Sequence, residues 1–208
     1  DRRASPRKDL LTVIAESKLD DALLPQEFLD GSWLLIIFAG NDTTRNSLSG
    51  TIKLMTEWPE QRAMVLDDPS LIPRMSDEAL RLISPVKHMR RTALEDIELN
   101  GQMIAKDEKV VMWYGAGNRD ADIFPDPDRF DPHRFLGQRP PTFAHIPFGG
   151  GTRRCVGAAF ANVEMDIVLR TVLRHFVIET TDTPAEKTHS RGVAYTPKSG
   201  GRVTVHRR

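Results

Sequence analysis

The hydrophobic positions in the first half of the chain recur at the spacing of an α-helix, over residues 10–83. Prolines interrupt the pattern at Pro25, at Pro59 and over Pro69–Pro73, which divides this half into several helices. The longest helix is predicted from about Gln26 to Trp58, because helices often begin directly after a proline. The first half of the chain is therefore predicted to be helical.

The middle of the long helix, Trp33–Gly40, is apolar on every side. A helix without a polar face is typical of the interior of a fold. We therefore expect this stretch to pass through the centre of the molecule rather than lie on its surface.

After Pro85 the pattern favours short strands, predicted at Arg91–Leu94, Ile97–Leu99 and Val110–Trp113. Asn100–Gly101 is the strongest short signal for a β-hairpin turn. Six of the 14 prolines lie between Pro125 and Pro147, which predicts an irregular coil.

A glycine-rich loop, Gly149–Gly151, then leads into a further helical pattern that ends near Phe176. Val177–Thr180 and Val203–Val205 are predicted to form a terminal pair of strands. No period of 20 to 50 residues repeats, so one structural unit is expected. The fold class predicted is mainly α with small β-sheets.

The composition excludes several classes of function and of site. The 208 residues carry 29 basic and 29 acidic side chains, which argues against a nucleic-acid binder that works by neutralising phosphates. The longest apolar stretch, Trp33–Ala39, is far shorter than the roughly 18 residues that cross a bilayer, and no signal peptide is visible. The single cysteine, Cys155, excludes an intrachain disulfide, a CxxC redox pair and a multi-cysteine zinc site.

The residues around Cys155 are the most informative in the chain. Glycine-rich loops that open a helix often bind phosphate, but the spacing here fits neither a Walker loop nor a dinucleotide loop. What remains is one thiol at the start of a helix, beside Arg153 and Arg154. The helix end and both guanidinium groups favour a thiolate, and the glycines allow a flat cofactor to approach the backbone.

The pattern Phe148-x-x-Gly151-x-Arg153-x-Cys155-x-Gly157 resembles the haem-binding loop of the cytochrome P-450 superfamily, the haem-thiolate monooxygenases. The resemblance implies that Cys155 is the axial ligand of the haem iron and that Arg153 binds a haem propionate. It also implies that Phe148, Gly151 and Gly157 belong to the cofactor-binding loop.

Glu78-x-x-Arg81 places a carboxylate and a guanidinium on one face of a helix, which by itself is typical of a surface ion pair. In its position it resembles the Glu-x-x-Arg pair of the same superfamily. The resemblance implies a structural triad completed by Arg134, in a segment similar to the family's Pro-Glu-Arg-Phe element. Arg129 is the alternative register.

Polar residues interrupt the apolar helix at Ala39-Gly40-Asn41-Asp42-Thr43-Thr44. Such conflicts with burial cluster at functional sites, although Thr43 could bond back to a carbonyl and Asp42 could pair with Arg45. The run resembles the family's oxygen-activation motif. The resemblance implies catalytic roles for Gly40, Asp42 and Thr43, with Gly40 making room for O2 and the other two delivering protons, and it places Ala39 beside the cofactor.

Arg91, five residues before Asp96, resembles the strand arginine that holds the other propionate, with Arg90 as the alternative register. Val86 and His88 are then expected to line the substrate pocket, together with Val193 in the tail.

The resemblance implies that residues 1–208 are the C-terminal portion of a single haem-thiolate monooxygenase domain whose N-terminal half is absent. Family members are about twice as long, so the apolar stretch of the long helix is also expected to be exposed in this chain. The implied cofactor is haem b (iron protoporphyrin IX), with O2 as co-substrate. The implied electron donor is a ferredoxin with its ferredoxin reductase, which draws on NAD(P)H.

The implied reaction inserts one atom of O2 into a C–H bond of an apolar substrate such as an alkane, a fatty acid or a sterol, in the bacterial cytoplasm. Ala39–Asn46 and His88–Ala93 resemble bacterial hydroxylases of these substrates, whereas Pro140–Gly151 resembles actinobacterial members, which leaves a mosaic of two subfamilies open. The alternatives are a haem-thiolate binding or sensing protein without turnover, and an inert truncated fragment.

Overall fold

The computed structural model describes residues 2–181, 187–191, 194–198 and 202–208. The chain divides into two compact units, residues 1–42 and 43–208, and the boundary falls inside the long helix α2 (Gln26–Glu57). Whether the chain forms a single domain stays a prediction. Among the described residues, no helix combines the length and the apolar character needed to cross a membrane.

The first unit contains α1 (Leu10–Ala15), a short hairpin of β1 (Lys18–Leu19) and β2 (Ala22–Leu23), and the first part of α2. The hairpin lies within residues 10–83, so the prediction of a helical first half is wrong for this segment. Its turn residues, Asp20 and Asp21, both have positive φ angles, of 50° and 62°. Aspartate tolerates this conformation, and two such residues in succession match the right-handed twist of a hairpin.

The second unit contains the rest of α2, then α3 (Pro59–Asp67), α4 (Ile72–Ile83), the one-turn helix α5 (Tyr114–Gly117) and α6 (Ala158–His175). Short 3-10 helices lie at Pro69–Leu71 and Gly151–Arg153. The predicted breaks at Pro25, Pro59 and Pro69–Pro73 are confirmed, since each proline lies just before a helix or in its first turn.

The strands of the second unit form antiparallel pairs. β3 (Met89–Thr92) pairs with β6 (Lys109–Met112), and β4 (Ile97–Leu99) pairs with β5 (Gln102–Ile104). β7 (Phe176–Thr180) pairs with β10 (Val203–Arg207), and β8 (Thr188–Arg191) pairs with β9 (Ala194–Pro197).

The hairpin predicted at Asn100–Gly101 is confirmed, since both residues have positive φ angles, of 52° and 80°. The terminal pair of strands is also confirmed. The strand predicted at Arg91–Leu94 is observed as β3 (Met89–Thr92), two residues earlier in the chain.

The core of the second unit lies between α4 and α6. Apolar side chains from both helices meet there, together with residues from α2, α3 and the proline-rich coil; its buried members include Met55, Val65, Ile72, Met75, Leu80, Phe130, Met165, Leu169 and Leu173. Phe148, at the start of the cysteine loop, packs against this core. The loop that carries Cys155 is therefore anchored at one end in the hydrophobic interior.

The prediction that Trp33–Gly40 is buried is wrong for this chain. Leu34 is 72% exposed, Leu35 64% and Ile37 67%. The physical reason is that the described residues supply no apolar layer over these side chains, as expected from the length of the chain relative to the family.

Candidate cofactor-binding site

The cysteine loop, Phe148–Gly157, presents its thiol outward. Cys155 is exposed and lies three residues before the first residue of α6, whose N-cap is Gly157. The Cys155 N–H donates to the Phe148 carbonyl at 3.0 Å, so the two ends of the loop are tied together. Val156, the next residue, is fully exposed. The loop therefore holds a sulfur atom at a surface from which a ligand can approach.

Glycine is required at two positions of this loop. Gly149 and Gly151 have φ angles of 68° and 63°, which side chains with a Cβ rarely adopt. A Cβ on Gly149 would also lie 3.3 Å from the hydroxyl of Tyr114, the buried first residue of α5. At Gly150 and Gly151 a Cβ would meet no described atom within 4 Å. The backbone before the cysteine therefore has free space beside it, which a flat cofactor needs in order to approach.

Glu78, in α4, is completely buried and lies between two guanidinium groups. Arg81 donates to both of its carboxylate oxygens, from Nε to Oε2 at 2.8 Å and from Nη2 to Oε1 at 2.9 Å. Arg134 donates from Nε to Oε1 at 3.0 Å. The structure therefore brings Arg134, rather than the side chain of Arg129, to Glu78.

The guanidinium of Arg81 also satisfies the backbone of the proline-rich coil. It donates to the carbonyls of Asn118 at 2.8 Å, Pro127 at 2.6 Å and Arg129 at 3.3 Å. A coil without a β-ladder needs such donors for its carbonyls. The buried ion pair thus fixes the coil that precedes the cysteine loop.

His145 attaches the coil to α4 at a second point. Its Nε2 lies 2.9 Å from the Asp77 carbonyl, and its ring packs edge-on against Phe135 at 5.2 Å between ring centroids. Burial is the main reason that the pKa of His145 lies below its ordinary value. The neutral imidazole donates its proton to the Asp77 carbonyl.

The predicted pocket residues Val86 and His88 are half-buried and lie just after α4. The His88 ring stacks on Trp113, with 5.1 Å between the centroids, and its Nδ1 is buried without a hydrogen-bond partner among the described residues. Between them, Lys87 donates to the Ile83 carbonyl. Burial, aided by the nearby Arg119, lowers the pKa of Lys87 to about 8. Val193 lies outside the described residues.

The other predicted site residues lie on α2, on β3 and on the cysteine loop. Ala39, Gly40 and Asp42 belong to the first unit, whereas Thr43 belongs to the second. Arg91 lies on β3, where it is exposed and donates from Nη1 to the Arg90 carbonyl at 2.9 Å. Arg153 is exposed.

Sequence reasoning missed Asn118 and Ser84. Asn118 is completely buried, and its Nδ2 donates to the hydroxyl of Ser84 at 2.7 Å. Ser84 follows α4 with a φ angle of 38°. Asparagine and serine are common in exposed turns, so their residue types alone do not signal a buried pair.

The model of the Cytochrome P450 family matches residues 70–205. "Putative cytochrome P450 138" of Mycobacterium tuberculosis is 38% identical over 99% of this chain and 49% of its own length. Linalool 8-monooxygenase of Pseudomonas putida is 41% identical over 80% of this chain and 40% of its own length. The chain spans about half the length of the curated relatives that it matches.

Solved structures share the fold. Cyanobacterial CYP120A1 with bound retinoic acid superimposes with a TM-score of 0.90 at 27% identity, over 100% of this chain and 53% of that one. The expected fold class, mainly α with small sheets in the fold of this family, is therefore confirmed, and the assignment to the C-terminal half stays a prediction. From the family model, the relatives and the fold together, the chain belongs to the cytochrome P450 family.

Proposed function

We propose that this chain is the haem-binding part of a monooxygenase that inserts one atom of O2 into a C–H bond of an apolar molecule. The observation that carries the proposal is the exposed thiol of Cys155 on a loop of fixed shape. Membership of a family of haem-thiolate enzymes supports the same proposed function.

The residues of the cysteine loop fit a haem. The thiol is a suitable iron ligand, and the bare backbone at Gly150 and Gly151 leaves room for a flat ring. Haem b, when bound, supplies an iron that activates O2, and a thiolate ligand increases the electron density on that iron. We assign Cys155 as the iron ligand.

Two arginines are assigned to the haem propionates. Arg153 is exposed on the cysteine loop, and Arg91 is exposed on β3. A guanidinium binds a carboxylate through two parallel N–H donors, and its charge complements the propionate. Their role is to fix the orientation of the cofactor.

Proton delivery is assigned to Asp42 and Thr43, which are consecutive residues of α2. A carboxylate can take up a proton from water, and the Thr43 hydroxyl can accept a proton at Oγ1 and donate its own. Gly40 leaves space on this helix, since a Cβ there would meet no described atom within 4 Å. A protein that only bound or sensed a ligand would have no use for such a relay.

The substrate proposed is apolar, and a terpenoid alcohol is the first compound to test. Linalool 8-monooxygenase and "Cytochrome P450-terp" of Pseudomonas are 41% and 39% identical to this chain. Electrons are proposed to come from a ferredoxin. Arg153 and Arg154 are exposed beside Cys155 and offer positive charge to an acidic partner.

The test of this function is a coupled turnover assay. The haem-loaded protein, a ferredoxin, its reductase and NADPH are incubated with linalool, and product is compared with NADPH consumed. We expect an oxygenated product, and Thr43→Ala should consume NADPH with much less product. Thr43→Ser, which keeps the hydroxyl, is the control. Coupling that is the same in all three proteins would overturn the assignment of Thr43.

Turnover itself is judged over a panel of terpenoids, fatty acids and sterols. Haem binding without product from any of them would contradict the proposed monooxygenase.

A further inference from the structure

Asn118 follows α5 and joins two segments that are distant in sequence. Its Nδ2 donates to Ser84 Oγ at 2.7 Å, and its Oδ1 accepts from the Ile146 N–H at 2.9 Å. Its main-chain oxygen accepts from Arg81 Nη1 at 2.8 Å. The Nδ2 and Oδ1 atoms of the buried amide and the main-chain oxygen of Asn118 are thus all hydrogen-bonded.

One end of this bridge is fixed to α4. The hydroxyl of Ser84 lies 3.3 Å from the Leu80 carbonyl and 3.2 Å from the Arg81 carbonyl. A serine hydroxyl has one proton, so it donates to a carbonyl and accepts from the amide of Asn118. Since Ser84 is itself completely buried, water is not available to replace these bonds.

The other end of the bridge is fixed to the cysteine loop. The Ile146 carbonyl accepts from the Gly149 N–H at 3.0 Å, and the Phe148 carbonyl accepts from the Cys155 N–H at 3.0 Å. A short series of backbone hydrogen bonds therefore connects the contact of Asn118 with the backbone of the cysteine.

Helix α5 supports the same loop at a second place. The Tyr114 carbonyl accepts from the Asn118 N–H at 2.9 Å, and the Tyr114 hydroxyl lies against Gly149. The backbone of Asn118 is therefore hydrogen-bonded to the backbone of the residue whose ring lies behind the loop.

We propose that Asn118 is a positioning residue for Cys155. It holds Ile146 in place relative to α4, and this fixes the point from which the cysteine loop extends and the position of the sulfur. The inference rests on the proposed role of Cys155 as the haem ligand. Without Oδ1, the Ile146 N–H has no acceptor in place, and the loop shifts to find one.

The test compares variants of the haem-loaded protein by the CO difference spectrum of the reduced form. In Asn118→Ala the ratio of the red-shifted band of thiolate-ligated haem to the band of haem without thiolate should fall about tenfold, as expected when a partly buried N–H loses its acceptor. Asn118→Asp should restore most of the ratio. Its carboxylate accepts from the Ile146 N–H, and the hydroxyl of Ser84 can turn to donate to it.

Arg119→Ala is the matched control. Arg119 lies next to Asn118 and donates to the Leu82 carbonyl of α4 at 2.7 Å, but it has no described hydrogen bond to the cysteine loop. Its loss should lower the melting temperature and leave the ratio of the bands unchanged.

A ratio in Asn118→Ala equal to that of Arg119→Ala, at a similar melting temperature, would overturn the inference, because the role of Asn118 would then be only structural. If Asn118→Ala does not fold, Asn118→Ser is compared in the same way, since its side chain is too short to bridge the two segments. Absence of the thiolate band in the unsubstituted protein is a separate result, which would contradict the proposed function itself.

Discussion

Replacement of Glu78 by glutamine tests the buried ion pairs that fix the proline-rich coil. The carboxylate of Glu78 is completely buried and accepts four hydrogen bonds, two from Arg81, one from Arg134 and one from the Asp131 N–H. In Glu78→Gln the charge is lost, and the new NH2 group faces an N–H donor. Arg81 is then a buried cation without its counterion, so we expect a loss of about 3–5 kcal/mol in the free energy of unfolding.

The control lies on the same helix at the same spacing. Arg74 and Asp77 form a half-buried ion pair at 3.0 Å that water still reaches, and Asp77→Asn should cost no more than about 1 kcal/mol. Both variants are measured by urea unfolding, with the slope of the transition checked for constancy. A cost of less than about 1 kcal/mol for Glu78→Gln, equal to that of Asp77→Asn, would refute the reasoning.

Removal of both partners, as in Glu78→Leu with Arg81→Leu, should not restore stability. Replacing a buried ion pair by apolar residues is often neutral, but Arg81 also donates to three backbone carbonyls. Each carbonyl left without a donor costs about 1–3 kcal/mol. A double variant as stable as the unsubstituted protein would contradict this account of Arg81.

Two further predictions follow from titratable groups. Because burial holds the pKa of His145 below 6.5 in the folded protein, the unfolded chain takes up a proton first, and stability is lost as the pH falls below 6.5. The measurement is the free energy of unfolding in urea at several pH values. His145→Gln should make that free energy depend less on pH below 6.5, and an unchanged pH dependence would contradict the effect of burial. The amine of Lys87, with a pKa of about 8, should reach half of its maximal acylation rate near pH 8, measured by peptide mass mapping; half-maximal labelling near 10.5 would contradict the effect of burial.

The local signals predicted most of the fold. The long helix was predicted from Gln26 to Trp58 and is observed as Gln26–Glu57, because the prolines on either side set its ends. The turn at Asn100–Gly101 was predicted because both residue types adopt positive φ angles. The hairpins β1–β2 and β8–β9 were not predicted. The two-residue strands β1 and β2 are too short to show a period, and the sequence of β8, Thr-His-Ser-Arg, contains no apolar residue.

The candidate site was predicted less completely than the fold, because several of its contacts join residues that are far apart in the sequence. The motif around Cys155 is local, so the sequence indicated it directly. Arg134 and Arg129 lie in one short irregular segment. Which of the two guanidinium groups reaches Glu78 depends on the path of that coil, which the sequence does not show. The bridge by Asn118 joins residues 34 and 28 positions away, which no local pattern indicates.

The central claim is that Cys155 ligates a haem iron through its sulfur. The most direct measurement is the CO difference spectrum of the reduced, haem-loaded protein, compared between the unsubstituted protein and Cys155→Ser. The account predicts the red-shifted band of thiolate-ligated haem in the unsubstituted protein and its loss in Cys155→Ser. The same band in both proteins, or bound haem without that band in the unsubstituted protein, would contradict it.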